Sequence, residues 1–312
     1  MINRGFVTLA TGNVVYYEMA ANLLASFRIH NPGVPFAIIC DRENKYTKLF
    51  DDVIVLEEAN GNYIDKFSLL IKSPYDESIF IEPDCLIYRN LEFFWGLLSH
   101  ESDCSSFGWN EGGLHRWFKT DETRKRLLEI VPEIDENAIV PLFNPGYIFI
   151  RKGPKCQKMY DDCLAVAKKI TEDEVLGIYP SILCGKNLRD DPIFSVAMGM
   201  NEFICHAKPS SSKCIALPSK YTINRIDIIK GVLDVTDKNG KEFKDCALLH
   251  FSTRRALEEG LYLWQTILVT LKNNNIGFYK ALNNRVFYVM CNVFRCIKTK
   301  IKNLIKYFWK EK

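Results

Sequence analysis

An apolar run at residues 6–10 predicts a strand buried on both faces, and the turn residues Thr11-Gly12-Asn13 end it. Tyr16, Met19, Ala20, Leu23, Leu24 and Phe27 then recur at the spacing of one helical face. Asn31-Pro32-Gly33 breaks that helix; residues 35–40 predict a second strand ending at Asp41, and residues 53–56 a third after a short polar helix. Residues 63–72 read as helical, Pro74-Tyr75-Asp76 as a turn, and Ser78-Ile79-Phe80-Ile81 as a fourth strand running into Glu82-Pro83-Asp84. Strand alternating with helix in this way implies a mostly parallel central sheet flanked by helices, an α/β architecture.

Further along, residues 91–98 predict a short amphipathic helix, and residues 107–119, rich in Gly, Trp and His without a clear period, a loop. Asn144-Pro145-Gly146 precedes a strand at 147–150, with a helix at 155–170 and another at 192–200 behind Asp190-Asp191. Strands follow at 202–206, 213–217 and 247–251, then helices at 254–272 and from 278 onward. No internal repeat is visible, so the economical division is one domain at 1–275 and a helical extension at 276–312.

Composition changes the picture in two places. The 312 residues, 47% hydrophobic and 25% charged, are those of an ordinary globular chain, which excludes wholesale disorder, collagen-like repeats and a multi-span membrane protein. The net charge of +3 is too small to imply nucleic acid, but it is unevenly placed: residues 280–312 carry 9 basic residues and 1 acid. Eleven cysteines without any C-x-x-C match neither a zinc motif nor a compact disulfide framework, so buried thiols in a reducing compartment are expected. The chain starts on a strand-like run and has no 18-residue apolar stretch, so it is expected to be neither secreted nor membrane-spanning.

The junction Glu82-Pro83-Asp84 carries the most chemistry. Positions 82 and 84 face the same way in extended geometry, and Pro83 has no N–H for a neighbouring strand, so the ladder should end there, at the carboxyl edge of the sheet. Ligands bind at that edge in α/β sheets. Oxygen donors there suit Mg2+ or Mn2+, completed by the diphosphate of a nucleotide, although two acids in a turn are also simply solvated ones. The first strand-turn-helix unit lacks both G-x-G-x-x-G and G-x-x-x-x-G-K-S/T, so neither a dinucleotide fold nor a P-loop has its fingerprint.

The order of residues 6–27, Asp65-Lys66-Phe67 and Ser78-Ile79-Phe80-Ile81-Glu82-Pro83-Asp84-Cys85-Leu86-Ile87 resembles the nucleotide-sugar domain of GT-A glycosyltransferases, particularly the glycogenin and galactosyltransferase-like family eight. It covers roughly residues 5–100, with echoes at Asn144-Pro145-Gly146, Asp190-Asp191 and Leu248-Leu249-His250-Phe251. The resemblance implies a GT-A-like fold and a UDP-sugar donor, with Glu82, Asp84 and His250 as metal ligands. Two departures stand out. Glu82 replaces the Asp of the family's D-x-D, which either shifts it toward ribose contact or leaves Asp84 the principal ligand, and the late histidine, a metal ligand or a hydrogen-bonded core residue, lacks the Lys-Pro-Trp of the family's H-x-x-G-x-x-K-P-W.

It further implies that Ala10, Thr11 and Gly12 approach a base and ribose, with Tyr17 either stacking on the base or packing in the core. Asp41 either accepts from a uracil N–H or caps the next helix. Lys66 and Arg254 or Arg255 either neutralise the diphosphate or are isolated cations on a solvated surface. Asn144, Asp190 and Asp191 either line the sugar or acceptor pocket or organise a turn and a helix start. Trp109, His115 and Trp117 are positioned to stack on sugars or to pack down on the domain.

The function these readings imply is metal-dependent transfer of a sugar from a UDP-sugar to a hydroxyl of a glycan or lipid-linked acceptor, in surface polysaccharide or glycoconjugate synthesis. Family eight implies retention of configuration; inversion would need a carboxylate base, with Asp190, Asp191 or Glu111 as candidates. The rivals are a sugar-nucleotide pyrophosphorylase, whose glycine-rich basic signature is missing, and a non-catalytic nucleotide-sugar binder or scaffold. In the extension, Val286, Met290, Val293, Ile297, Ile301, Leu304 and Phe308 form one helical face, and Arg295, Lys298, Lys302 and Lys306 the other. That pattern predicts a helix lying on an anionic membrane surface or docked on protein, and a cytoplasmic protein peripheral to the inner face of a membrane.

Overall fold

The computed structural model describes residues 3–99, 102–134, 139–203, 205, 213–216, 220–252, 256 and 259–273. In chain order the elements are β1 (Arg4–Ala10), α1 (Val14–His30), β2 (Phe36–Cys40), β3 (Asp52–Val55), α2 (Leu69–Lys72), β4 (Glu77–Ile81) and β5 (Cys85–Ile87). Next come α3 (Phe93–Leu98), β6 (Cys104–Gly112), α4 (Gly113–Trp117), α5 (Asp121–Ile130), β7 (Pro141–Arg151) and α6 (Pro154–Glu172). The hairpin β8 (Leu183–Cys184) and β9 (Asn187–Leu188) leads to α7 (Asp190–Met200). Last are β10 (Cys214–Ala216), β11 (Tyr221–Asp227), β12 (Val232–Asp237), β13 (Glu242–Phe243), β14 (Leu248–His250) and α8 (Gly260–Asn273).

The chain divides into two compact units. The first comprises residues 1–21, 33–83 and 91–213. Its six-stranded sheet runs β3-β2-β1-β4-β7-β6, with β3, β2, β1 and β4 parallel and β7 and β6 antiparallel to their neighbours. The expected α/β class with a mostly parallel central sheet is therefore what the chain adopts. Every residue of β2 and β4 is buried, as parallel strands covered on both faces must be. Glu77 at the start of β4 is also buried, and Arg4 (3.1 Å) and Arg151 (3.0 Å) neutralise it. Helix α6 buries Cys156, Met159, Cys163, Val166, Ala167 and Ile170, one apolar stripe, against α2 and α7.

The second unit comprises residues 22–32, 84–90 and those from 214 on. Here β14 lies between β10, to which it is parallel, and β5, to which it is antiparallel; Leu248 faces Ile87, Leu249 faces Leu86 and His250 faces Cys85. Strands β11, β12 and β13 form a separate antiparallel sheet. Ser26 Oγ accepts from the Ile87 N–H at 3.1 Å, and Tyr262 of α8 packs edge-on to Phe251.

Two sequence expectations are corrected, and a third difference is an omission. Residues 107–119 are not a loop: β6 and α4 occupy most of them. The two-residue alternation is hidden there because β6 slips register against β7 between Ser106 and Gly108 and again between Trp109 and Gly112. Gly108 permits the close approach, since a Cβ there would lie 2.5 Å from the Leu142 carbonyl oxygen, and Gly112 turns the chain into α4 at φ 86°. Second, residues 202 and 203 are no strand. They close α7: Glu202 takes φ 55° and the Phe203 N–H returns to the Met198 carbonyl at 2.9 Å. Third, the sequence reading leaves unassigned both α5, opened by a Thr120–Thr123 capping box, and the β11–β13 sheet. The extension at 276–312 lies outside the described residues. Among the described residues no helix is long and apolar enough to cross a membrane.

Candidate functional site

At the carboxyl end of β1, Ala10 and Thr11 are buried and Gly12 takes φ 73°. The conformation and the space both call for glycine, because a Cβ at Gly12 would lie 2.9 Å from the Gly61 carbonyl oxygen. Asp65 fixes the opposing loop: its carboxylate accepts from the Asn60 N–H at 2.7 Å and the Gly61 N–H at 2.8 Å. Asp41, at the end of β2, accepts from the Gly12 N–H at 3.0 Å, from the Tyr17 hydroxyl and from Arg42 Nη1 at 3.0 Å. Tyr17 is fully buried, and the Arg42 guanidinium lies 5.4 Å from its ring centre. Arg42 also donates to the Gly12 carbonyl at 2.9 Å. The expected nucleotide residues thus form one hydrogen-bonded cluster around Gly12, held by Arg42 and Asp65, to which sequence reasoning gave no role.

A second cluster joins β4 to α7. The Lys66 ammonium contacts both Glu82 and Asp190. The Lys66 and Asp190 side chains are 8% and 5% exposed, so solvent does little to screen the pair. Burial disfavours the charge on Lys66, but Asp190 and then Glu82 outweigh it and raise its pKa above the ordinary value. For Asp190, burial is the largest cause and raises the pKa to about 6 against the pull of Lys66; Asp191 and Glu82 push the same way as burial. Asp190 and Asp191 occupy the first turn of α7, where the helix dipole favours anions, and Arg189 Nη2 binds Asp191 at 2.6 Å. The ammonium expected to face a diphosphate is therefore held by two carboxylates, and Glu82 directs an oxygen to Lys66.

Asn144 accepts from the Gly146 N–H at 3.0 Å, so its side chain organises the Asn144-Pro145-Gly146 turn within β7. Of the aromatic group, Trp109 is 51% exposed while Trp117 is buried, donating to Ser195 Oγ at 3.3 Å with Arg189 over its ring. His115 and Glu111 are exposed. Arg254 and Arg255 lie outside the described residues.

In the second unit, β5 and β14 bring Asp84 and His250 together: Asp84 Oδ1 lies 3.1 Å from His250 Nε2. Asp84 directly precedes β5, His250 ends β14, and the Phe251 N–H donates to the Asp84 carbonyl at 3.1 Å. Both side chains are almost wholly buried. The spacing is that of a hydrogen bond and also of two donors on one divalent ion, which sit about 3.0–3.4 Å apart for ligand distances near 2.1 Å. A carboxylate oxygen and an imidazole nitrogen are a donor pair that Mn2+ accepts, so these residues fit a divalent cation. Cys85 adds a thiol to the group: one ligand atom from each of Asp84, Cys85 and His250 lies within 4.8 Å of the others. Sequence reasoning treated Cys85 as core. The signal available was its position beside Asp84 in a run already singled out for metal chemistry.

No protein-family model and no curated protein matches this chain by sequence. Solved structures similar to it include the galactosyltransferase LgtC in complex with donor and acceptor sugar analogues, at 13% identity and TM-score 0.43 over 80% of this chain and 87% of that one. The bifunctional glycosyltransferase WbbM matches at 11% identity and TM-score 0.46 over 81% of this chain and 46% of that one. The glycosyltransferase GlyE of Streptococcus pneumoniae TIGR4 matches at 12% identity and TM-score 0.39 over 62% of this chain and 43% of that one. The chain thus spans less than half the length of GlyE and of WbbM. All three are glycosyltransferases, and at these scores the likenesses carry no argument about this chain's chemistry.

Proposed function

We propose that the protein is a metal-dependent glycosyltransferase that moves a sugar from a UDP-sugar to a hydroxyl of a glycan or lipid-linked acceptor, with retention of configuration. The observation that carries this reading is the 3.1 Å approach of Asp84 to His250, two residues distant in sequence that the resemblance to family eight names as ligands of one ion. Bound there, Mn2+ or Mg2+ would stabilise charge on the departing diphosphate. The cluster around Gly12 offers a close backbone approach for a base and ribose, and Asp41 orients the Gly12 N–H. Lys66 neutralises part of the charge of Glu82 and Asp190, so that carboxylates able to accept from sugar hydroxyls are held at fixed positions in a buried place. Surface polysaccharide or glycoconjugate synthesis at the inner face of a membrane is the setting that suits such a donor and the basic tail.

The test is a screen of UDP-sugars for hydrolysis or transfer with Mn2+, with Mg2+ and with chelator. Turnover that requires the ion and is lost in Asp84→Asn supports the reading. UDP-sugar binding without turnover under any ion would instead favour a non-catalytic binder, a reading that the engagement of Glu82 by Lys66 supports.

A further inference from the structure

We infer that Cys85 is a third ligand beside Asp84 and His250, and that this donor set takes a borderline ion of the Zn2+ or Co2+ type in preference to Mn2+. The inference rests on the metal-binding reading of the Asp84–His250 pair and goes beyond it in naming a thiolate and the ion class it selects.

The placement is built by local structure. The β5–β14 register sets His250 opposite Cys85, and Asp84 is the residue before β5, so three different donor atoms come from one strand end and its partner. All three lie within 4.8 Å of one another, and among the described residues no other group of three His, Cys, Asp or Glu side chains converges in this way. Cys85 is fully buried, so the thiol lies where a solvated hard ion gains little from it.

Tetrahedral zinc holds sulfur at about 2.3 Å and nitrogen or oxygen at about 2.0–2.2 Å, which separates its ligand atoms by about 3.4–3.6 Å. Reaching that geometry requires Asp84 and His250 to part by about 0.3 Å from their 3.1 Å spacing. The thiol would close in by no more than about 1.2 Å from the 4.8 Å limit, within a small side-chain rotation. Donor chemistry then decides the ion. Thiolate ligands favour zinc, and Mn2+ stands lowest among the first-row divalent ions in intrinsic affinity. The thiol passes its proton to solvent as the sulfur–metal bond forms, and no oxidant or reductant is involved. Three protein ligands leave one tetrahedral position open, the arrangement of a reactive site and not of a closed structural one.

The experiment titrates the full chain with Co2+ as a spectroscopic substitute and reads the near-ultraviolet band of thiolate-to-cobalt charge transfer together with the visible bands of tetrahedral cobalt. The expected result is a charge-transfer band that Zn2+ displaces at far lower concentration than Mn2+ does, that Cys85→Ser removes and that Asp84→Asn weakens. Loss of an outer-shell partner alone costs a metal site about 10- to 100-fold in affinity, so Cys85→Ser should weaken Zn2+ binding by at least about tenfold. Cobalt that binds in an Asp84-dependent way without the charge-transfer band would overturn the inference and leave the proposed function standing. Displacement by Mn2+ as readily as by Zn2+ would overturn the ion preference. No binding of Co2+, Zn2+ or Mn2+ that depends on Asp84 or His250 would overturn both readings. Should Cys85→Ser fail to fold, the wild-type spectrum and the displacement order decide alone.

Discussion

Replacing Lys66 by methionine keeps the length and most of the volume of the side chain while removing the cation between Glu82 and Asp190. Lys66 and Asp190 are 8% and 5% exposed, so water cannot take over the role of the ammonium. Breaking a buried ion pair from one side costs about 3–5 kcal/mol, because the charge left behind is uncompensated. The sign of the pH dependence follows from Asp190. Its folded pKa is raised from 3.8 to about 6, with burial the largest cause. The stability that comes from its protonated form is therefore fully present below about 3.8 and lost as pH rises through about 6. Without Lys66 the opposing pull is gone and the same loss moves to higher pH. Urea unfolding of Lys66→Met should show the full deficit at pH 8 and a clearly smaller one at pH 5, where protonation of Asp190 removes the orphaned charge. The double variant Lys66→Met/Asp190→Asn should recover part of the deficit at pH 8, as coupled neighbours do. A deficit equal at both pH values, or no deficit, would refute the buried-triad account.

Three further outcomes are expected. Gly12→Ala should destabilise by about 1–2 kcal/mol from its left-handed backbone alone, with more from the 2.9 Å contact to Gly61, and should weaken UDP binding in a fluorescence or calorimetric titration. His250→Ala should lower divalent-metal affinity more than it lowers folding stability, measured by metal titration beside urea unfolding; a collapsed fold with an unaltered metal requirement would assign His250 to the core. Removal of residues 283–312, whose Lys and Arg residues would contribute about 1 kcal/mol per nearby cation at an anionic surface, should abolish salt-sensitive liposome binding and preserve UDP binding. Equal partitioning of full-length and truncated chains would reject the membrane role.

What the sequence made legible follows from how each element is buried. Strands β1, β2 and β4 are parallel and covered on both faces, so they appear as short apolar runs bounded by turn residues. The end of β4 was readable because Pro83 has no N–H to give the next rung of a ladder. Strand β6 was not, since its two register slips against β7 destroy the alternation and its outer half is exposed. Strand β11 has no fully buried residue and so offers no buried face to mark it. Lys66 reads as a surface cation because nothing local reveals Asp190, which only the packing of α7 brings to it. Asp84 and His250 were joined on paper by resemblance alone; the pairing of β5 with β14 brings them together in space.

The central claim is that Asp84 and His250 hold a divalent ion that in turn holds the diphosphate of a nucleotide sugar. Calorimetric titration of UDP into the full chain, with and without a divalent ion, measures this directly. Binding should be strengthened by the ion in the wild-type chain and insensitive to it in Asp84→Asn, while Glu82→Gln should keep most of the ion dependence because its carboxylate engages Lys66. Ion-dependent UDP binding of unchanged strength in Asp84→Asn would contradict the account.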